Sequence, residues 1–347
     1  MTPHSCGRIT LSRKREGTGL PPADSATTRA RNAVSLLAIV LLAAVCSASA
    51  GPVPTDSTGF AKFLYVVNGP RTGTRFRSPS SLAVDQANNL VYVCDSEDRV
   101  VYAFSLQGAL RFTIGQKAEL DDPVAVAVDR TGNLYVSERK TRKVKVFDTQ
   151  NKLSDVIDLE GVEPSVKAQP GRLTVTRDGE ILVVDQANQQ VLVFGKDKRL
   201  SLKFGKVGDR LGEFRTIEDV AADRQGRIYV VDSSGTPIQV FDRKGGYITR
   251  VGTRTDLDTG LVQPVALVAD RFEQLWLVDS AEHNVKIFDR IGLLLRVFGE
   301  YGMVEKSLFY PIDIDLDGFG RLYVLERGSR RLQVFELSSP AQPMARP

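Results

Sequence analysis

The stretch from residue 264 to 299 reads PVALVADRFEQLWLVDSAEHNVKIFDRIGLLLRVFG, and it determines the fold that we expect for the whole chain. It contains four short runs of β-branched, aromatic and leucine residues, at 264–270, 274–279, 284–288 and 293–299. Short runs of this composition, separated by turn-prone polar residues, are typical of β-strands joined by tight turns. The stretch therefore predicts a unit of four consecutive strands, which we call a to d.

The same unit occurs six times, and the second to sixth copies follow one another at intervals of 47 residues. Strand a opens with a proline column: Pro79, Pro123, Pro170, Ile217, Pro264 and Pro311. Strand b ends in a carboxylate column: Asp95, Glu138, Asp185, Asp232, Asp279 and Glu326. Strand c ends in an aromatic column: Phe104, Phe147, Phe194, Phe241, Phe288 and Phe335. A fixed period of this length indicates blades repeated around an axis, so we predict an all-β, six-bladed β-propeller with four-stranded blades.

The ends of the repeat region indicate how the ring is closed. No strand d follows Phe335, whereas an unassigned run with the same character, FLYVVNG at 63–69, precedes the first copy. A strand from the amino-terminal side that completes the last blade would leave no open sheet edge. We therefore predict a propeller over residues 63–337, closed by this N-terminal strand.

The pattern resembles the NHL repeat family of six-bladed propellers. The resemblance rests on PSSLAVD at 79–85 with VYVCD at 91–95, and on PVAVAVD at 123–129 with GNLYV at 132–136 and KVKVF at 143–147. It implies the propeller fold, but it does not select one activity, because the family includes ubiquitin ligase substrate modules, kinase sensor domains, lyases and exported proteins.

The first fifty residues differ in composition from the rest. An apolar core at about 33–46 follows several basic residues, and Ala48-Ser49-Ala50 has the form of a cleavage site, which predicts a secretory signal peptide within a leader at 1–50. We expect a linker at 51–62 and a disordered tail at 338–347. The signal peptide predicts export to a bacterial periplasm or cell envelope. The alternatives to its cleavage are that it is retained as a membrane anchor or that a lipid is attached at Cys46. Cleavage would leave Cys94 as the one remaining cysteine, so no intramolecular disulfide is expected.

Charge argues against a nucleic-acid partner. Without the leader, the chain carries 40 basic and 40 acidic residues, so its formal net charge is zero. Proteins that bind nucleic acid usually carry an overall or local positive field. RNA binding, which some NHL relatives perform, also conflicts with the predicted export and stays a second alternative. A membrane partner is expected only if the leader is retained as an anchor.

The carboxylate column is the most conspicuous repeated feature, and we interpret it as structural. Aspartate commonly accepts backbone N–H bonds in the turn that follows it, and a role repeated in every blade favours that interpretation. Calcium ligands must lie at about 2.3–2.6 Å from the ion, whereas groups on neighbouring second strands should lie roughly 10 Å apart. We therefore predict no shared metal ion and no other cofactor.

No catalytic residue is predicted. His283 is the one histidine downstream of the leader, and the corresponding residues of the other copies are Arg, Gln or Thr. The lyases with this fold need several histidines around zinc, and lactonase-like propellers use a Glu/Asn/Asp metal site in the central channel, of which we find no sequence counterpart. A metal-assisted lactonase or lyase in the channel stays the alternative to a non-enzymatic protein.

The b–c turns differ most between copies and suggest a binding surface. Basic residues concentrate in blades six, one and two and in the loop before blade one. We call this set the basic arc: Arg71, Arg75, Arg77, Arg99, Arg139, Lys140, Arg142, Arg327, Arg330 and Arg331. Neutralisation by nearby acidic residues is the competing interpretation. The sequence thus predicts a scaffold that binds a protein or an anionic glycan through one loop face.

Overall fold

The computed structural model describes residues 60–115, 120–162, 166–255 and 260–338. All of them belong to one unit that extends from Pro52 to Pro347. The predicted leader, most of the predicted linker and residues 339–347 of the predicted tail lie outside the described residues. Within the described residues, no helix is both long and apolar enough to span a membrane.

The described chain forms 24 β-strands in six antiparallel sheets of four strands, which confirms the predicted six-bladed propeller. Strand β1 is Ala61–Val67. Blade 1 consists of β2 (Pro79–Asp85), β3 (Leu90–Asp95), β4 (Val100–Ser105) and β5 (Leu110–Ile114). Blade 2 consists of β6 (Pro123–Val128), β7 (Leu134–Glu138), β8 (Lys143–Phe147) and β9 (Leu153–Asp158). Blade 3 consists of β10 (Pro170–Val175), β11 (Ile181–Asp185), β12 (Gln190–Phe194) and β13 (Leu200–Phe204).

Blades 4 to 6 repeat the arrangement. Blade 4 consists of β14 (Ile217–Ala222), β15 (Ile228–Asp232), β16 (Ile238–Phe241) and β17 (Tyr247–Val251). Blade 5 consists of β18 (Pro264–Ala269), β19 (Leu275–Asp279), β20 (Asn284–Phe288) and β21 (Leu294–Phe298). Blade 6 consists of β22 (Pro311–Leu316), β23 (Arg321–Glu326), β24 (Arg331–Leu337) and β1.

Strand β1 closes the ring. It pairs antiparallel with β24, from Ala61 opposite Leu337 to Val67 opposite Leu332, and the backbone N–H of Ser338 donates to the Phe60 carbonyl at 2.9 Å. The closing strand therefore begins two residues earlier than the run at 63–69 indicated. Residues 61 and 62, predicted to be linker, continue the pairing, because their partners in β24 extend to the end of that strand.

Apolar side chains between neighbouring blades form the core. The aromatic column is buried in all six blades, and Cys94 and Trp276 are buried with it. The Phe60 ring stacks on Trp276 at 5.8 Å, and the Phe63 ring meets Phe335 edge-on at 5.9 Å. The residues around β1 join blades 5 and 6 in one hydrophobic cluster. Each fully buried side chain of this size contributes about 1.5–3 kcal/mol to stability.

The topology defines two loop faces and a central channel. In an antiparallel blade the a–b and c–d turns lie at one end, which we call the a–b face. The b–c turns and the d–a loops lie at the other end, which we call the b–c face. The first strands of adjacent blades lie side by side around the channel, and each has a register irregularity directly after its first residue. Such bulges re-aim side chains, here at the channel wall.

Candidate binding site

The carboxylate column holds the b–c face together. All six carboxylates are fully buried. Asp95 accepts the backbone N–H groups of Arg77 at 2.8 Å and Ser78 at 3.0 Å, in the loop that leads into its own blade, and that of Asp98 at 3.2 Å in its b–c turn. The other five make the same kind of bond to the preceding d–a loop. The tie to the d–a loop, which the sequence did not suggest, makes a rigid base for the surface.

Blades 2 and 6 have glutamate in this column, and each glutamate also binds a basic side chain. Lys145 lies 3.2 Å from Glu138, and the Arg331 Nε donates to Glu326 at 2.7 Å. The longer side chain of glutamate, compared with aspartate, reaches these groups while the carboxylate still accepts a backbone N–H, that of Asp121 for Glu138 and that of Phe309 for Glu326.

Arg331 therefore does not belong to an exposed basic arc. Its side chain is buried, and its guanidinium also donates to the carbonyls of Met303, Val304 and Ser307 at 2.8–3.0 Å. The physical reason is its position as the first residue of β24, inside the sheet, where its role is to hold the loop at 299–310 in place.

Five other members of the basic arc are exposed or half-buried, and their side chains are already engaged, four of them with carboxylates. Arg77 pairs with Glu97 and lies 3.5 Å from Asp98. Arg99 and Lys140 share Asp121, at 3.7 and 2.8 Å. The two remaining contacts are Arg142 to Glu160 at 3.2 Å and Arg75 to the Ser329 carbonyl at 3.0 Å. Of the basic arc, four arginines have side chains without an ion pair or hydrogen bond within the described residues: Arg71, Arg139, Arg327 and Arg330.

Two of these four arginines flank the mouth of the channel on the b–c face. Arg139 and Arg327 each follow the column carboxylate, in blades 2 and 6, on either side of blade 1, where the corresponding residue is Ser96. They line a cavity of about 220 Å³ with Arg172 and Glu218. Glu218 is the one acidic residue among the described residues that line it, so the mouth carries net positive charge.

The channel below the mouth contains charged residues that the sequence reasoning missed. Arg172 pairs with Asp313 and donates to the Ile312 carbonyl at 2.7 Å, and Asp219 and Asp315 lie further along the wall. The sequence signal of Arg172, Asp219 and Asp313 is the column two residues after the proline: Ser81, Ala125, Arg172, Asp219, Ala266 and Asp313. Charged residues in a column of otherwise small ones mark positions where the blades differ.

The channel carboxylates join adjacent blades. Asp219 accepts the N–H groups of Val220 and of Leu267, in the next blade, both at 2.9 Å. Asp315 likewise accepts N–H groups from Leu316 and Val84 at 2.8 Å. Burial raises the pKa of Asp219 to about 7, against the lowering effect of Arg172, and burial raises the pKa of Asp315 to about 7 as well. These oxygen atoms are thus already occupied by backbone donors.

The loop at 299–310, which leads into blade 6, presents apolar side chains on the b–c face. Tyr301, Met303, Val304 and Tyr310 are all exposed, Val304 by 70%. Tyr310 has a φ of 50°, a conformation that is strained for a bulky residue and is maintained only where the surroundings impose it.

His283, whose counterparts in the other blades are Arg, Gln or Thr, is the packing centre of this loop. Its Nδ1 accepts the Tyr310 N–H at 2.9 Å, and its ring lies 4.6 Å from that of Tyr310, 4.9 Å from Tyr301 and 5.7 Å from Phe309. Burial lowers the pKa of His283, which favours the neutral ring that this acceptor role requires.

The apolar loop and the basic mouth are continuous. The Arg327 N–H donates to the Tyr310 carbonyl at 2.9 Å, and the Gly328 N–H donates to the Phe309 carbonyl at 3.1 Å. One rigid surface therefore combines exposed aromatic and aliphatic groups with arginines that lack partners among the described residues. Those described residues include no group of three or more His, Cys, Asp or Glu that could hold a metal ion.

Comparisons with known proteins support the same architecture. Residues 131–251 match the family DUF5128, described as a 6-bladed beta-propeller. No curated protein matches the sequence.

Several solved structures are similar. A gluconolactonase from Xanthomonas campestris superimposes with a TM-score of 0.58 at 19% identity, covering 83% of this chain and 98% of that one. Virginiamycin B lyase from Staphylococcus aureus gives a TM-score of 0.56 at 12% identity, covering 80% and 90%. A protein of unknown function from Bacteroides thetaiotaomicron gives 0.61 at 16%, covering 83% and 76%. At such identities the likeness defines the class of fold, a six-bladed propeller, and not an activity.

Proposed function

We propose that this propeller is a binding module that captures an acidic, partly apolar segment of a protein partner on its b–c face. The observation that carries the proposal is the continuity between Arg327 at the channel mouth and the exposed 299–310 loop. Tyrosine, methionine and arginine are enriched in protein interfaces, and tyrosine and arginine are frequent among the residues that dominate binding energy.

The electrostatics of the mouth favour a carboxylate-bearing segment. Arg139 and Arg327 flank a cavity of about 220 Å³ that Arg172 also lines, whereas Glu218 is hydrogen bonded to Ser233 at 2.7 Å. Bidentate contacts from arginine to a carboxylate are strong and geometrically selective. An acidic side chain entering the mouth would pair with the Arg139 and Arg327 guanidinium groups, while the neighbouring residues of the segment cover the apolar loop.

The apolar half of the surface favours a protein over an anionic glycan. Met303 and Val304 are exposed beside the mouth, and their aliphatic side chains offer no partner to the hydroxyl and sulfate groups of a polyanionic chain. A glycan would use the arginines and leave the loop uncovered. The acidic protein segment uses both halves.

The finer features predicted from the sequence belong to the same proposal. NHL-type repeats would supply the rigid scaffold, and the signal-like stretch at 33–50 supports export, so that the partner is met in the periplasm or cell envelope. The alternative of an enzyme acting in the channel is less well supported, because Asp219 and Asp315 already accept backbone N–H groups and His283 is engaged in packing.

Charge reversal at the mouth tests the proposal. Peptides selected by the protein from a displayed random library are expected to combine Asp or Glu with aromatic or aliphatic residues. Arg139→Glu together with Arg327→Glu should weaken the affinity for a selected peptide at least tenfold, about 1.4 kcal/mol. Isothermal titration calorimetry measures this change.

The matched control is Arg111→Glu with Arg250→Glu, two exposed arginines on the outer strands β5 and β17, which should bind like the unmodified protein. Equal losses in both double variants, or unchanged binding in the mouth variant, would contradict the proposal. Retention on heparin without selection of acidic peptides would point to a glycan partner.

A further inference from the structure

A second cavity lies on the a–b face, between blades 5 and 6, on the opposite side of the ring from the surface proposed above. Its volume is about 580 Å³, within the usual range for ligand sites. Phe272 and Phe319, in the a–b turns of the two blades, line it, and their side chains are 49% and 70% exposed.

The two phenylalanines are not part of the repeat. The residue eight positions after the first residue of strand a forms the column Ala87, Thr131, Asp178, Gln225, Phe272 and Phe319. Aromatic residues thus occupy this turn only in the two adjacent blades that share the cavity. Large exposed aromatic side chains at solvent-facing turns contribute nothing to the core, so their presence on both sides of one cavity indicates a ligand.

The neighbouring column explains why the cavity is open. It reads Gln86, Arg130, Arg177, Arg224, Arg271 and Gly318, so blade 6 has glycine where blades 2 to 5 have arginine. A Cβ atom at Gly318 would lie 2.9 Å from the Gln86 Oε1. The glycine therefore admits the Gln86 side chain beside the cavity and keeps a long side chain out of it.

Two polar side chains of the cavity are available to a ligand, whereas the carboxylates that line it, those of Asp270, Asp315 and Asp317, already accept hydrogen bonds. Gln86 and Arg224 line it, and neither side chain has a hydrogen bond or ion pair within the described residues. Arg271 lies over Phe272, with its Cζ 4.8 Å from the ring centroid, and covers one face of that ring. Donors without partners and exposed aromatic rings thus line the same cavity.

We infer that this cavity binds a pyranose unit of a saccharide. A pyranose ring has a face of C–H groups, which packs on an aromatic ring, and a rim of hydroxyl groups, which accept hydrogen bonds from amide and guanidinium donors. A purely apolar ligand would leave Gln86 and Arg224 unpaired at a cost. The inference stands independently of the protein-binding surface on the b–c face.

Affinity electrophoresis in gels that contain a soluble polysaccharide tests the inference. The probes are galactomannan and xylan, which are neutral, and polygalacturonate, which is acidic. At least one of them is expected to retard the full chain, and the acidic and neutral arms distinguish a uronate from an uncharged sugar. Phe272→Ala with Phe319→Ala should weaken the retarding interaction at least tenfold, with an unchanged melting temperature because both side chains are exposed.

Two controls keep the outcome specific. Ile291→Ala removes an exposed aliphatic side chain from the c–d turn of blade 5, on the same face, and should be retarded like the unmodified protein. The Arg139→Glu, Arg327→Glu variant should also keep full saccharide binding, which separates this site from the b–c face. Absence of retardation by all three polysaccharides, or equal retardation of the Phe272→Ala, Phe319→Ala variant, would overturn the inference.

Discussion

A chain that begins at Asn68, and therefore lacks β1, is expected to lose its cooperative fold and to aggregate. The deletion removes the outer partner of β24 from Leu332 to Leu337 and uncovers Trp276 and Phe335, which in the intact chain pack against Phe60 and Phe63. Three or more buried side chains at about 1.5–3 kcal/mol each approach the total stability of a domain, which is about 5–15 kcal/mol. Size-exclusion chromatography and thermal unfolding by circular dichroism measure the loss.

The matched control for this deletion begins at Pro52 and keeps β1. It should be monomeric and melt cooperatively. Adding a synthetic peptide of residues 58–69 to the chain that begins at Asn68 should restore part of the transition, because an extended peptide can pair with a free sheet edge. A deletion variant that melts at the temperature of the control would show that β1 does not complete the ring.

The second large effect is expected for Glu326→Ala, which should destabilise the protein by about 3–5 kcal/mol. The substitution leaves the buried Arg331 without its carboxylate and removes an acceptor from the Gln333 side chain and the Phe309 N–H, which now lie 2.7 and 2.9 Å from Glu326. Breaking a buried ion pair by removing one partner costs more than replacing both. Urea unfolding at neutral pH measures the change in free energy.

Two variants serve as references for Glu326→Ala. Glu336→Ala alters an exposed carboxylate near the other end of β24, opposite Arg321, that lies 3.8 Å from Lys62, and it should cost no more than about 1 kcal/mol. Glu326→Ala combined with Arg331→Met should recover part of the loss, because no uncompensated charge remains. Equal costs for Glu326→Ala and Glu336→Ala would show that the buried pair does not hold the 299–310 loop.

The architecture was predictable because each blade repeats the same packing problem. The aromatic column and the apolar runs recur at one period, so the same four-stranded arrangement is expected in all six copies. The strand missing from the last blade had one available source, residues 63–69. The start of β1 at Ala61 was missed because Ala61 and Lys62 lack the pattern and extend the strand only through backbone pairing.

The candidate sites were less predictable because they depend on side chains that leave the repeat. Arg331 looked like its exposed neighbours Arg327 and Arg330, and only the start of β24 turns it inward. Arg172 and Asp219 were visible as charged residues in one column of small ones, but the bulges that re-aim their side chains into the channel have no simple sequence signal. Neutralisation of Lys140 by Asp121 depends on two loops meeting in space.

The positions of the loops on both faces depend on one claim, that β1 is the outer strand of blade 6. Hydrogen exchange of the intact protein tests this claim most directly. If the ring is closed as described, amides of Ala61–Val67 that pair with β24 will exchange as slowly as those of the outer strands β5 and β17. Exchange of the β1 amides at the rate of an unstructured peptide, with the other outer strands still protected, would contradict the closed ring.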